Sequence, residues 1–247
     1  MTAAPLTPTH WPLRDGYHAV VLGAQGAIGA AWCAALRADP RCAAVAGLSR
    51  QSHPALELTD EAALRRCADH LAQQVTRHGP LHLVVDATGA LRLNGRGPEK
   101  RLADLNAQAL TDAMAVNAIG PALALQALEP LLARGERVVW AKLSARVGSI
   151  ADNHKGGWYG YRASKAALNM LLQTAAIELA RTRPLSVVAA LQPGTVRSAL
   201  SQPFVAAHAD HLLEPADAVA RLRAVLDTLP PTGRAHFVDH AGQVLPW

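Results

Sequence analysis

The feature that most constrains the fold of this chain is the alternation of short apolar runs with longer segments of helical periodicity. The first run, at 17–22, is apolar almost throughout and stops at Gly23, which is typical of a buried parallel strand that feeds a tight turn. Strands that alternate with helices in this way form parallel sheets covered on both faces. The pattern predicts further strands over 43–48, 81–85, 137–143, 186–191 and 235–238, and helices over 27–38, 62–77, 110–132, 161–181 and 215–229.

The alternation runs through the chain without a linker or an internal repeat, so it describes one domain. The chain has 247 residues, of which 50% are apolar, and this is enough material for one large core. We therefore predict an α/β domain over 16–247, a Rossmann-type doubly wound parallel sheet with helices on both faces. Residues 1–15 are expected to form an extended arm.

Composition argues against several classes of protein. The net charge is +5, but Lys and Arg are spread along the chain without the basic cluster that nucleic-acid binding uses. No apolar stretch is long enough for a membrane span and the N-terminus shows no signal pattern, so a cytoplasmic protein is expected. Cys33, Cys42 and Cys67 show no CxxC spacing, which predicts free thiols in a reducing compartment and no metal site.

A glycine-rich turn follows the first predicted strand and opens a helix. Gly23, Gly26 and Gly29 have the spacing GxxGxxG rather than the commoner GxGxxG. In such a turn the backbone approaches a pyrophosphate closely, and the helix N-terminus offers free N–H groups and a partial positive charge. The turn predicts a dinucleotide site, with a purely structural strand-to-helix turn as the alternative.

The second predicted strand ends in Ser49-Arg50, without an acidic residue. An acid at this position would bond the adenine ribose hydroxyls of NAD, whereas an arginine favours the 2′-phosphate of NADP. The sequence therefore predicts NADP(H) as cofactor. A solvated loop arginine is the alternative reading of Arg50.

Tyr161 and Lys165 are four residues apart at the start of a predicted helix, so they share one face. A free tyrosine is a poor acid-base catalyst at neutral pH, and a nearby cation is expected to lower the pKa of its phenol. The YxxxK pattern alone is common by chance. Its place after the glycine turn and Asn117 matters more, because parallel strands bring their carboxyl ends to one edge of the sheet.

This order of motifs resembles the short-chain dehydrogenase/reductase superfamily over 17–247. The run Gly-Gly-Trp-Tyr-Gly-Tyr at 156–161 and the ending Pro246-Trp247 resemble the branch of sniffer-type carbonyl reductases and C-factor proteins. The resemblance implies that Tyr161 donates a proton and that Lys165 activates it and binds the nicotinamide ribose. It also implies that Asn117 holds a water for proton relay.

The serine of the catalytic set is displaced in this chain. The resemblance places Ala145 where the family carries the serine that bonds the substrate carbonyl. Either a bulged strand end lets Ser144 serve, which we predict, or Ser149 serves, or the role is reduced.

The resemblance also implies a set of cofactor contacts. They extend from the glycine turn through the ends of the following strands to the Pro-Gly-x-Val-x-Ser loop. Glu57-Leu58 is expected to contact the adenine. Residues 86–89, Asp-Ala-Thr-Gly, stand where the family has Asn-Asn-Ala-Gly. The set comprises Gly23, Gln25, Gly26, Ala27, Ile28, Gly29, Ser49, Arg50, Glu57, Leu58, Asp86, Ala87, Thr88, Gly89, Tyr161, Lys165, Pro193, Gly194, Val196 and Ser198.

The function expected from these residues is NADP(H)-dependent reduction of an aldehyde or ketone to an alcohol, or the reverse. The partner is a small-molecule carbonyl or alcohol whose identity the sequence leaves open, and neither nucleic acid nor a membrane is expected. The oligomeric state, homodimer or homotetramer, is also open. The alternative is a catalytically weak dinucleotide-binding regulatory protein of C-factor type, an alternative that the displaced serine motivates.

Overall fold

A computed structural model describes residues 12–204 and 212–247. Residues 1–11 of the predicted arm therefore lie outside the described residues, whereas 12–15 run along the domain. Leu13 packs against the core, and Arg14 pairs with Glu136 at 3.1 Å. The strands are β1 (Tyr17–Leu22), β2 (Cys42–Leu48), β3 (Leu81–Asp86), β4 (Val138–Leu143), β5 (Ser186–Gln192), β6 (Thr195–Val196), β7 (Leu212–Leu213) and β8 (His236–Asp239). The helices are α1 (Ala27–Arg37), α2 (Glu61–His78), α3 (Ala107–Met114), α4 (Gly120–Leu128), α5 (Tyr159–Thr182) and α6 (Pro215–Leu226).

The main sheet confirms the predicted doubly wound architecture. Its six strands are all parallel in the order β2-β1-β3-β4-β5-β8, and β6 pairs with β7 separately. Strands β1, β3 and β4 are buried at every position, as expected for parallel strands covered on both faces. The strand order reverses between β1 and β3, and this switch point is where such sheets bind ligands.

Helices cover the two faces of the sheet. One core cluster, which includes Trp140, packs β-strand side chains against α2, α4 and α5, and the other, which includes Trp32, packs them against α1 and α6. Within the described part of the chain, no helix is long and apolar enough to cross a membrane. The three cysteines carry free thiols, as predicted, and two of them, Cys33 and Cys67, are buried.

The helix predicted over 110–132 is present but not regular, because helical conformation continues from α3 into α4 through a π-helical turn. α3 ends at Met114, a π-helical turn spans Ala115–Ile119, and α4 then begins at Gly120. Pro121 has no N–H to bond the carbonyl of residue 117, so the regular α-helical ladder cannot continue there. In its place the Gly120 N–H bonds Ala115 O, five residues back.

The other predicted boundaries agree with the structure to within three residues, and β1 matches at both ends. α5 begins at Tyr159, two residues before Tyr161, and α6 ends at Leu226 rather than at 229. After α6 the Thr228 hydroxyl donates to Val225 O, and prolines at 230–231 prevent the helix from continuing.

Candidate active site

The glycine turn after β1 has the tight geometry that a dinucleotide site requires. Gly23 has a φ of +79°, in the left-handed region that favours glycine. A Cβ at Gly29 would lie 2.1 Å from Gly23 O, so the start of α1 packs directly under the turn. The N–H groups of the first helical turn, from Ala27 to Gly29, lack intrahelical acceptors and are available to an anion.

The turn after β2 presents Arg50 outward. The Ser52 hydroxyl donates to the carbonyls of Ser49 and Pro54, both at 2.7 Å, and the Gln51 N–H donates to the Ser49 hydroxyl at 3.1 Å. These bonds hold Ser49 inside, while the Arg50 side chain stays exposed. The guanidinium is therefore available to an anion.

A groove of about 1400 Å³ runs along the switch point and collects ten of the predicted cofactor residues. The described residues that line it are Gly23, Gln25, Gly26, Ser49, Arg50, Gln51, Leu56, Glu57, Leu58, Ala87, Thr88, Gly89, Ala90, Arg92, Leu93, Asn94 and Val116. The glycine cradle, the helix N-terminus and the arginine fit a phosphorylated dinucleotide. Arg92, an exposed residue absent from the predicted set, adds a second guanidinium to the groove.

Two groups of predicted cofactor residues lie outside this lining. Ala27, Ile28 and Gly29 form the start of α1, where Gly29 is buried and Ile28 packs against the core. The loop Pro193-Gly194-Thr195-Val196-Arg197-Ser198 follows β5, with Gly194 at a φ of +81° and Val196 buried. It lies at the same sheet edge, but the structure does not bring it to the groove.

Asp86, also predicted to touch the cofactor, is turned into the protein instead. Its carboxylate is fully buried at the end of β3 and lies 2.9 Å from the ammonium of Lys142, which is equally buried on β4. The Lys142 ammonium also donates to Thr88 O at 2.7 Å and to Thr88 Oγ1 at 3.0 Å. Burial lowers the pKa of Lys142, and the Asp86 carboxylate counteracts this.

Tyr161 and Lys165 occupy adjacent turns of α5, as their spacing predicted. The Lys165 ammonium lies 5.6 Å from the centre of the Tyr161 ring and donates to Leu143 O, at the end of β4, at 3.0 Å. Tyr161 lines a second cavity of about 360 Å³, which shares Ala90 and Leu93 with the groove. The phenol and the ammonium therefore lie next to the groove.

The ionisation of this pair differs from the expectation. Burial raises the pKa of Tyr161 to about 12, so the expected lowering of its pKa is absent in the free protein. The pKa of Lys165 is lowered to about 7, mainly by burial and also by the positive charge of Lys142, while Asp86 acts in the opposite direction. At neutral pH Tyr161 is thus a neutral phenol, which is the form that donates a proton.

Asn117 lies in the π-helical turn and reaches the same cavity as Tyr161. Its Nδ2 donates to Ala90 O at 2.9 Å, and its Oδ1 accepts from the Ala90 N–H at 2.8 Å. A Cβ at Gly89 would lie 3.3 Å from Asn117 Oδ1 and 3.5 Å from Lys165 Nζ, so these two groups are close to each other. Asn117 therefore holds the segment after β3 through two hydrogen bonds to Ala90, and it also lies close to Lys165.

Neither candidate serine lines the cavity beside Tyr161. The Ser144 hydroxyl donates to Asn169 Oδ1 at 2.6 Å in the interior, and the Ser149 hydroxyl accepts from the Asp152 N–H at 3.0 Å. The strand is not bulged, because β4 and β5 stay in register up to Leu143. Regular alternation therefore turns Ser144 toward α5, on the same side as Lys142.

Sequence reasoning missed two further residues of the site. The Glu99 carboxylate accepts from the Gly160 N–H at 3.0 Å and so caps the first turn of α5. No sequence motif predicted this contact. Lys142 had a signal, since a charged residue within an apolar strand needs a buried partner. Trp158, in the left-handed region, stacks edge-on against Tyr161 with the ring centres 6.1 Å apart.

Comparisons with known proteins show which family the chain belongs to. Residues 18–228 match the family described as Enoyl-(Acyl carrier protein) reductase. C-signal from Myxococcus xanthus is 32% identical over 170 residues, which are 68% of this chain and 94% of that protein. The 1-hydroxy-2-glutathionyl-2-methyl-3-butene dehydrogenase from Rhodococcus sp. (strain AD45) is 29% identical over 204 residues, 83% of each chain.

Among solved structures, NADPH-bound carbonyl reductase from chicken fatty liver superposes with a TM-score of 0.82 over 96% of both chains, at 21% identity. This likeness shows the fold, and the family rests on the sequence matches. The predicted resemblance is confirmed: the chain belongs to the short-chain dehydrogenase/reductase family of oxidoreductases.

Proposed function

We propose that this protein is an NADP(H)-dependent carbonyl reductase, which interconverts an aldehyde or ketone and its alcohol. The observation that carries the proposal is the placement of Tyr161, Lys165 and Asn117 beside a groove that holds the glycine turn and Arg50. The fold neighbour from chicken fatty liver binds NADPH and is a carbonyl reductase. The free thiols are consistent with a reducing, cytoplasmic location.

When bound, NADPH supplies the hydride. The glycine turn and the first turn of α1 would hold its phosphates, and Arg50 its 2′-phosphate. Tyr161 donates its phenolic proton to the carbonyl oxygen as negative charge develops there. Lys165 stabilises the phenolate left behind and bonds the ribose, and Asn117 orders a water that returns the proton. We assign no serine to the carbonyl, because both hydroxyls are bonded elsewhere.

The test is a screen of NADPH oxidation against aldehydes, ketones and quinones, followed by Tyr161→Phe. This variant keeps the ring but removes the proton, so turnover falls by about 100-fold or more while NADPH is still bound. Tyr159→Phe is the matched control, since Tyr159 lies two residues earlier in α5. Near-wild-type turnover in Tyr161→Phe would refute the assignment.

A second candidate function is dinucleotide binding without efficient chemistry, in a regulatory protein. The identity to C-signal and the alanine at position 145 favour it. Tight NADPH binding by the wild type, with no oxidation across the whole carbonyl panel, would select this alternative over the reductase.

A further inference from the structure

Lys142 is a buried cation that the proposed chemistry does not use. It is the fifth residue of β4, whose other five residues are apolar, and none of its surface is exposed. Its ammonium donates to the carboxylate of Asp86 and to both oxygens of Thr88, so all of these acceptors belong to one turn. A buried ion pair is weak evidence for stability, because apolar residues of similar volume often serve as well.

The turn that Lys142 holds is one wall of the cofactor groove. Ala87, Thr88 and Gly89 line the groove directly after β3. The Thr88 N–H donates to Asp86 Oδ1 at 2.9 Å, and this same oxygen accepts from Lys142, so the acid, the threonine and the lysine form a closed hydrogen-bonded ring. At the far end of the wall Asn117 binds both backbone groups of Ala90. The wall is therefore anchored at both ends.

The same pair also lies within electrostatic range of Lys165. The titratable groups that act on Lys165 are Lys142 on β4 and Asp86 on β3, and Tyr161 lies beside it on α5. Without Lys142, the buried Asp86 carboxylate would be an uncompensated anion close to Lys165. With Lys142 in place, the Lys165 ammonium bonds Leu143 O and lies beside the Tyr161 ring.

We propose that Lys142, paired with Asp86, is a positioning residue of the dinucleotide site: it fixes the groove wall at 87–89 and neutralises Asp86 so that Lys165 remains directed to Tyr161 and the ribose. This proposal rests on the proposed function for its catalytic part. The single variant Lys142→Met leaves a buried, unpaired carboxylate and so loses stability for that reason alone. The test therefore uses the double variant Asp86→Asn with Lys142→Met, which removes both charges of the pair and so leaves neither one buried without its partner.

We expect the double variant to fold, and to bind NADPH about tenfold more weakly because the wall is no longer anchored by the ammonium. Its profile of kcat/KM for NADPH against pH should also change, because this parameter reports the free protein. Lys142 lowers the pKa of Lys165 and Asp86 raises it, so both residues act on the ionisation of Lys165. Removing both should therefore move the pH at which activity is lost as Lys165 deprotonates.

The matched control is Glu129→Gln with Arg183→Met, which removes an ion pair between a buried arginine and a partly exposed glutamate at the opposite edge of the sheet. It should leave both the NADPH affinity and the pH profile unchanged. Wild-type affinity and an unmoved pH profile in the Asp86/Lys142 double variant would overturn the proposal.

Amide hydrogen exchange separates this proposal from the proposed function. If the wild type neither binds NADPH nor reduces carbonyls, the proposed function fails, but exchange at the amides of 87–90 still reports on the wall. Faster exchange there in the double variant, at unchanged global stability, supports the positioning role, and unchanged exchange contradicts it.

Discussion

At the scale of single residues, Arg50 and Lys142 show how position decides the role of a cation. Arg50 follows β2 in a turn held by serine hydroxyls, so its guanidinium is exposed at the groove. Lys142 lies inside β4, so its ammonium is buried and donates its hydrogen bonds to oxygens of Asp86 and Thr88. Only the first is available to a ligand, and only the second can hold the protein's own backbone.

Arg50→Ala should therefore change the choice of cofactor. A guanidinium contributes charge-assisted hydrogen bonds to a 2′-phosphate, and their loss weakens NADPH binding about 10- to 100-fold. NADH lacks this phosphate, so its affinity should not change. Fluorescence titration with both cofactors measures the effect.

The control for Arg50 is Arg77→Ala, which removes an exposed arginine from the last turn of α2. This variant should bind both cofactors as the wild type does. Equal weakening of NADPH and NADH by Arg50→Ala would mean that the arginine does not recognise the 2′-phosphate.

At the scale of elements, the start of α5 depends on a segment distant in sequence. Its N-cap residue, Trp158, adopts a φ of 54° and supplies no side-chain cap. Glu99 provides the cap from the loop between β3 and α3, through its carboxylate to Gly160 N and its carbonyl, which accepts from the Trp158 N–H. Tyr161 lies in this first turn, so the cap bears directly on its position.

Glu99→Ala should cost stability and activity together. Loss of a cap of this kind destabilises by about 1 kcal/mol, and a less ordered first turn places Tyr161 less well, so kcat should fall. Urea unfolding and steady-state kinetics measure the two effects. Asp60→Ala, which removes the side-chain cap of α2 at Ala62 N, is the control and should reduce stability while kcat is unchanged. An unchanged kcat in Glu99→Ala would show that the cap does not position Tyr161.

The elements also show what the sequence could predict. Short runs of apolar residues located the six strands of the main sheet, because strands buried on both faces leave a strong local signal. The helix that contains Asn117 was also located, but the π-helical form of the turn at Asn117, which Pro121 favours by excluding a regular ladder, was not predicted. The Glu99 cap and the partner of Ser144 depend on contacts between distant segments, and these leave no trace in local spacing.

At the scale of the whole molecule, a buried charge cluster joins elements at the sheet edge opposite the candidate site. Asp39 lies just after α1 and is 8% exposed. Its carboxylate accepts from the Tyr17 hydroxyl of β1 at 3.0 Å, from the Arg41 N–H at 2.9 Å and from Arg223 of α6. The cluster therefore ties the first strand to the last helix.

This cluster predicts how stability depends on pH. Burial tends to raise the pKa of Asp39, but the bonds from the Arg41 N–H, the Tyr17 hydroxyl and the Arg41 guanidinium, together with the charge of Arg41, outweigh it and hold the pKa below its usual value. A carboxyl whose pKa is depressed by folding stabilises the native state above its unfolded pKa of about 4, and this contribution is lost as the pH falls further. Asp39→Asn should therefore lower the free energy of unfolding by about 1–2 kcal/mol at pH 7, and the difference from wild type should shrink below about pH 4.

Chemical unfolding at a series of pH values measures this difference directly. Asp69→Asn, at an exposed position on α2, is the control and should follow the wild type throughout. Because the cluster lies at the far edge of the sheet, NADPH affinity at pH 7 should be unchanged in Asp39→Asn. A stability difference that stays constant down to about pH 2 would contradict the prediction, since the carboxylate would then not be the source of the stabilisation.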